Sequence, residues 1–359
     1  MADVDWLDRE LRHRIECVMV NPHDLGNELG LLPCTVGSLT IDYGYYTDDR
    51  CSASITTADF DQYQLGSWLR IYHVASTPAM GDVRIERGTF AIYDATISSG
   101  AGRTNVQFQL QSALGAIGED YDAWPMTIGK GATAGKTIKA ICDKCGRSYR
   151  LSPTFVDYRF TSSSALEAGK SFRSRLYSVC SASGNRMDVD AHGRIVFEKY
   201  VAPSERYPSM ALDVDDARSP IIDGSVSLGT SLFSRPSRSI VVYKDGDSVI
   251  SAQSDVASSS KVSFERRGFT KAELHELNDL SSPKTVAHVQ QLASRYLKTD
   301  SAPTETWELE TLWLPLKEGD VVTFAPRRYD PLGNGKARKC LVQSVTETTS
   351  RLKLYLKEV

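Results

Sequence analysis

The chain has 359 residues, 41% of them hydrophobic and 24% charged, too long for one ordinary core and suited to a globular protein of two or three domains. A formal charge of −3 and a pI near 6.1 argue against nucleic acid as the main partner, since that function usually shows as a basic face or tail. No apolar run reaches the ~18–20 residues a membrane helix needs, and the acidic start MADVDWLDRELRHRIE has no apolar core of a signal peptide, so the protein is expected to fold in a cytoplasm. Its seven cysteines (Cys17, Cys34, Cys51, Cys142, Cys145, Cys180, Cys340) are odd in number and scattered, which fits reduced thiols better than a disulfide framework.

The first stretch reads as strands. Cys17 to Val20 is a short apolar run, Asn21 to Gly30 is turn-rich, and strands are expected at Ser38 to Tyr46, Cys51 to Thr57, Trp68 to Val74, Val83 to Asp94 and Val106 to Leu110. These segments alternate or carry β-branched and aromatic residues, with Gly, Asp, Asn and Pro between them. The regular spacing implies an antiparallel sandwich or barrel.

From about Leu114 to Pro203 the texture changes to a small α+β module. Thr133 to Cys145 puts Ile138, Ile141 and Cys142 on one helical face, with Gly146 as C-cap. Ser171 to Ala182 carries Phe172, Leu176, Val179 and Cys180 on another such face. A hairpin follows, with Val189 and Ile195 to Phe197 flanking a turn at Asp190 to Gly193.

Strands return from about Asp213, at Ser225 to Leu228, Ser239 to Lys244, Val249 to Gln253 and Lys261 to Arg266. The dipeptide Asp245-Gly246 marks a hairpin turn. A helix at Pro283 to Leu297 shows Val286, Val289, Leu292, Ala293 and Tyr296 on one stripe, capped by Ser281 or Ser282. Strands then follow at Glu305 to Leu314, Asp320 to Ala325, Lys339 to Thr346 and Leu352 to Leu356, the last with an apolar and a basic face.

Several motifs tempt and fail. In Gly129 to Thr137 (GKGATAGKT) a phosphate loop would need glycine where Lys130 stands, and Pro125 interrupts the segment that should be a buried strand. The segment is expected to lead into a helix capped by Thr133. Cys142 and Cys145 have zinc-ligand spacing but no second pair nearby, with Cys180 and His192 the residues left to complete a site. The six histidines (His13, His23, His73, His192, His275, His288) form no His-Glu-x-x-His pair, and no Gly-x-Ser-x-Gly elbow accompanies a serine. Paired acids such as Asp48 and Asp49, Asp215 and Asp216, or Glu119 and Asp120 are expected to be solvated turn residues. Arg266-Arg267 and Arg327-Arg328 are expected to be solvated surface spots. No catalytic, cofactor-binding or metal-binding residue is assigned, and no enzyme activity or cofactor is expected.

Three stretches in order resemble the phage tail hub (baseplate hub or tail-tip hub) family, and the hub part of type VI secretion spike proteins. The first is GSLTIDYGYYTDDRCSASITT (Gly37 to Thr57) with Gly66-Ser-Trp-Leu-Arg-Ile and GDVRIERGTFAIYDATI (Gly81 to Ile97). The second is the helix of Ala134 to Cys145 with Lys170 to Tyr200, in which a helix leads into a hairpin. The third is SSPKTVAHVQQLASRYL with Thr306 to Pro326, where a Leu-x-x-Gly-Asp-x-Val strand follows a helix.

The resemblance implies a mainly β protein with an α+β part. Two β-barrel, tube-type domains at 1–115 and 206–359 would flank a small α+β domain at 116–205, with an inserted helix at about 283–298. It further implies a homotrimeric, pseudo-sixfold ring in the virion tail tip, assembled in the host bacterial cytoplasm. Such a ring would join the tail tube to distal tail proteins, meet the tape-measure protein and tip or receptor-binding proteins, and pass DNA without binding it specifically. The alternatives are a tail-associated cell-wall-degrading enzyme using acids such as Asp48, Asp49 or Glu119, or a host receptor-binding β-sandwich module.

Overall fold

The computed structural model describes residues 5–8, 10–32, 35–42, 52–58, 67–78, 81–100, 103–229, 235–245, 248–277, 285–301, 305–330 and 335–359. The N-terminal region is built of β1 (Arg12–Asn21), β2 (Asp24–Leu31), β3 (Thr35–Asp42), β4 (Ser52–Ala58), β5 (Trp68–Thr77), β6 (Gly81–Gly100) and β7 (Arg103–Gln111). The α+β module holds α1 (Ala113–Ala116), β8 (Tyr121–Asp122), β9 (Met126–Ile128), α2 (Ala134–Lys144), β10 (Tyr149–Leu151), β11 (Ser164–Leu166), β12 (Lys170–Ser171), α3 (Phe172–Ser183), β13 (Asn185–Val189) and β14 (Ile195–Lys199). The C-terminal region follows with β15 (Met210–Asp213), β16 (Ser227–Gly229), β17 (Arg238–Asp245), β18 (Ser248–Asp255), α4 (Phe264–Arg267), β19 (Ala272–Leu277), α5 (Val286–Asp300), β20 (Thr306–Leu312), β21 (Val321–Ala325), β22 (Arg338–Thr348) and β23 (Arg351–Glu358).

The protein is mainly β, with large antiparallel sheets and a minority of helix. Alternation builds two separate cores. In the N-terminal region Leu39 and Ile41 of β3, Ile55 of β4, Leu69 and Ile71 of β5, Phe90 and Ile92 of β6 and Phe108 and Leu110 of β7 all point into one interior. In the C-terminal region Trp307, Leu309, Phe324, Val342, Leu352, Leu354 and Leu356 do the same. The alternate residues face the other way, as the pleat requires, and on β5 both faces are buried.

The two regions are nevertheless one sheet. β22 pairs antiparallel with β3, from Ser344 opposite Asp42 to Thr348 opposite Ser38, within a 13-stranded sheet. The N-terminal half of β22 pairs instead with β21, so the sheet forks at β22. Strands with this much local curvature need irregularities, and β-bulges at Ile71/Tyr72, Ile92/Asp94 and Val342/Ser344 supply them.

Most expected elements form. β2 is the first correction: the turn-rich Asn21 to Gly30 folds as a hairpin on β1, turning between Asn21 and Asp24. Its residues are largely exposed, so an edge strand tolerates the Asn and Gly content there. The second correction is Lys261 to Arg266, expected as a strand. Its Val262–Phe264 alternation is broken because Phe264 is exposed. The backbone instead closes a helical turn on Ser263 and ends at the left-handed Gly268.

The third correction concerns α5, which starts at Val286 and is capped by Thr285, whose Oγ1 accepts from the His288 N–H at 3.2 Å. Ser281, Ser282 and Pro283 lie outside the described residues. Val289 and Ala293 are fully buried against β17 and β18, with Leu292 and Tyr296 beside them, whereas Val286 faces solvent. β17 and β18 form the expected hairpin, with Gly246 outside the described residues. Helix α2 is capped as expected by Thr133 and α3 by Ser171, each accepting from the N–H three residues on.

Candidate functional site

A buried polar cluster lies where the two β cores meet, and it begins with a bulge. Ile71 pairs with Gly88 and Tyr72 with Glu86, which leaves Arg87 as the extra residue on β6. Bulges re-aim side chains, and this one sends a guanidinium into the interior. Gly88 follows at φ 155°, where a Cβ would meet the Phe90 ring at 2.6 Å, so this position requires glycine.

Across the junction β22 places Glu347 at the inward register shared with Val345. Arg87 Nε stands 3.0 Å from Glu347 Oε2, and both side chains are 1% exposed. Arg87 Nη1 donates to the Leu316 carbonyl at 3.0 Å. The Trp313 indole N–H donates to Glu347 Oε2 at 3.3 Å. His73 of β5 stacks on Trp313 at 3.7 Å between centroids and contacts Glu347 Oε1 at 3.8 Å. His13 of β1 completes the chain, its Nδ1 2.9 Å from His73 Nε2.

Every link in this cluster crosses between regions or supports one that does. Burial works to raise the Glu347 carboxyl, but Arg87, His73 and Trp313 outweigh it and hold the group below its ordinary range. Burial pulls His73 down, and burial followed by the neighbouring His73 pulls His13 to about 4. At neutral pH the cluster is therefore one buried ion pair with two neutral imidazoles. Desolvation of both charges offsets much of the attraction in such a pair.

A second feature is the outward face of the shared sheet. Eight strands run side by side in the order β16-β20-β23-β22-β3-β4-β7-β6, and every neighbouring pair is antiparallel. Opposite the two cores, β3, β4, β7 and the C-terminal half of β22 present Ser38, Thr40, Ser54, Thr56, Gln107, Gln109 and Thr346. None of these is buried. Thr40 and Thr346 meet hydroxyl to hydroxyl at 3.2 Å across the β3–β22 joint. Between β23 and β20, Lys353 pairs with Glu308, and Arg351 lies 3.7 Å from Glu310.

This fold is known from solved structures. A tail protein from Neisseria meningitidis MC58 superposes with a TM-score of 0.63 at 12% identity, covering 97% of each chain. The 43 kDa tail protein of prophage MuSo2 from Shewanella oneidensis gives 0.61 at 10% identity, covering 96% of this chain and 98% of that one. The chain has the fold of the phage tail proteins. A Francisella PdpA-VgrG complex shares the tail-protein fold with a TM-score of 0.52 at 9% identity, covering 98% of this chain and 58% of that one. No family model and no curated protein matches the sequence.

Within this tail-protein fold the tempting motifs occupy ordinary places. The Gly129–Thr137 segment opens α2, where Thr133 Oγ1 accepts from the Lys136 N–H and Asp157 Oδ1 from the Gly135 N–H at 2.8 Å. The N–H groups a phosphate would use already have acceptors. Cys142 is fully buried, and burial pushes its thiol up to about 12. His192 lies beside Glu86 at 3.8 Å instead of joining the cysteines, and among the described residues no three metal-ligating side chains converge. Asp48 and Asp49 lie outside the described residues, and Glu119 is exposed.

Arg327 and Arg328 are matched with Asp213, Asp215 and Asp223, and Arg267 lies over the Phe269 ring at 4.5 Å.

A second buried ion pair organises the α+β module. Arg175 of α3 reaches Asp122, while its Nη2 donates to the Trp124 and Glu167 carbonyls at 2.7 Å. Lys144 first, then the Trp124 N–H, hold the Asp122 carboxyl down to about 2. A depressed carboxylate contributes stability above its unfolded value near 3.8 and loses it as pH falls through the folded value. Amide protection of α3 and the Trp124 loop should therefore fall between about pH 4 and pH 2, as measured by hydrogen exchange, and Asp122→Asn should abolish that acid step.

The Arg87–Glu347 cluster itself was not singled out by sequence motif. The available signal was a charged residue at a core-facing strand register. Glu347, two residues after Val345, shows it.

Proposed function

We propose that the chain is a non-enzymatic hub subunit of a phage tail tip. In this reading it closes with further copies into a trimeric, pseudo-sixfold ring that joins the tail tube to the distal tip and lets DNA pass. Residues 1–115 and 206–359 act as the two tube-type β-domains and 116–205 as the α+β domain between them.

The observation that carries this is the shared sheet. Past Ala91, β6 has β7 on one side and no strand on the other among the described residues, and β16 likewise pairs only with β20. Seven antiparallel steps separate these ends, so the end strands run in opposite directions. The β16 of one copy can therefore meet the β6 of the next in the same antiparallel sense that joins β22 to β3. Head-to-tail contacts of this kind close into rings when the rotation permits, and they cover edges that would otherwise invite uncontrolled pairing.

The hydroxyl- and amide-rich face supports DNA passage. Phosphate binding needs unpaired cations, and Arg351 and Lys353 of β23 sit beside carboxylates. The tube, tape-measure and tip proteins are the expected partners, as is a location in the virion tail.

Native mass spectrometry of the purified protein, alone and mixed with tail-tube protein, tests the assembly. A trimer that caps tubes is the expected species. Ile97→Lys places a charge on the free half of β6 at a side chain already 60% exposed, and it should yield folded monomers with unchanged melting. A wild-type protein that stays monomeric and never joins a tail would overturn the proposal.

A further inference from the structure

Three parts of the fold meet around one cavity of about 160 Å³. β6 contributes Arg87 and Thr89, the β13–β14 hairpin contributes Asp188 and Asp190, and the loop after Trp313 contributes Lys317 and Glu318. The hairpin is fastened there by Thr89, whose hydroxyl donates to the Ala191 carbonyl at 2.5 Å, and by the left-handed turn at Gly193 packed on Leu25.

The charges around this cavity do not balance. Arg87 is its one buried cation among the described residues, and that charge is already matched by Glu347 at 3.0 Å. Glu318 Oε2 stands farther off, 3.9 Å from Arg87 Nη2. Neither of these two atoms has a hydrogen-bond partner, nor does the Ser112 hydroxyl on the same cavity wall. Asp188, 3.9 Å from Arg186 Nη2, acts on Glu318 as a like charge from the hairpin, Asp190 is held by Arg194 and the His192 N–H, and Lys317 points to solvent. A second ionised carboxylate here has no sealed cation to answer it and one like charge across the gap.

We propose that Glu318 is a protonation latch: with its proton it lets the β13–β14 hairpin and the Lys317–Glu318 loop close on Arg87, and on losing it drives them apart. Balance is simple, because the proton exchanges with solvent and water enters the cavity to solvate the carboxylate. Burial raises the Glu318 carboxyl to about 7, which places the transition near neutrality. The device is independent of ring formation and concerns the single subunit.

The sign follows from linkage. A carboxyl whose folded value is raised stabilises the fold fully below its unfolded value of 4.5, and that contribution is lost as pH rises through the folded value near 7. His13 and His73 are lowered on folding and act oppositely in overlapping windows, so the informative quantity is a ratio between variants.

Urea unfolding of the full chain and of Glu318→Gln at pH 5, 6 and 7 measures it. The wild-type folding constant divided by that of the variant should fall about 40-fold from pH 5 to pH 7, with hydrogen exchange in Asn185–Lys199 rising in wild type only. Asp188→Asn, which removes the facing charge, should move this window to lower pH. A ratio independent of pH, or a window that Asp188→Asn leaves in place, overturns the latch.

Discussion

Arg87→Ala should lower the unfolding free energy by about 3–5 kcal/mol, the cost of leaving one member of a buried ion pair without its partner. The loss falls on Glu347, whose carboxylate is sealed between the two β cores and keeps only the Trp313 N–H and a neutral His73. Urea denaturation followed by tryptophan fluorescence reports it directly, since Trp313 lies in the cluster. The paired change Arg87→Met with Glu347→Leu should recover most of the loss, because well-packed apolar residues often replace a buried ion pair at no cost. A double variant as unstable as Arg87→Ala would mean that the pair specifies the geometry of the joint and does more than balance charge.

Trp313→Ala is the second large effect expected, at about 3–5 kcal/mol. The side chain is 1% exposed, stacks on His73 from the other region and contacts Trp6 at 4.9 Å. Truncation opens a cavity at the joint and removes a donor from Glu347. Trp313→Phe separates the two contributions: it keeps an aromatic face for His73 and loses the N–H. Its expected cost is about 1.5–3 kcal/mol, the range for a hydrogen bond to a charged group. Thermal unfolding of both variants distinguishes them, and equal costs would show that packing contributes little beyond the hydrogen bond.

Both predictions concern residues that no motif marks. A motif is a short run of sequence with fixed spacing, and the cluster draws His13, His73, Arg87, Trp313 and Glu347 from four strands and a loop. Strand periodicity could have shown that Glu347 occupies an inward register, whereas Arg87 owes its inward position to the bulge. It could not have shown that they face each other.

What the sequence determined by itself is local and periodic. Alternation placed the β4, β5, β7, β20 and β23 cores, as Leu352, Leu354 and Leu356 illustrate. Helical spacing placed α2 and α3, with Thr133 as the cap of α2. These signals are legible because a pleat or a helix turn imposes its period on neighbouring residues whatever the rest of the chain does.

Where local signals were balanced, tertiary context decided. Asn21 to Gly30 became an edge strand because β1 offered a partner, and Lys261 to Arg266 became a helical turn because Phe264 had no core to enter. Above all, the β3–β22 pairing joins residues some three hundred positions apart (Thr40 and Thr346 touch across it). Only the folded chain could reveal that the two β regions share one sheet, since backbone pairing between distant strands is set by packing and leaves no pattern in either strand alone.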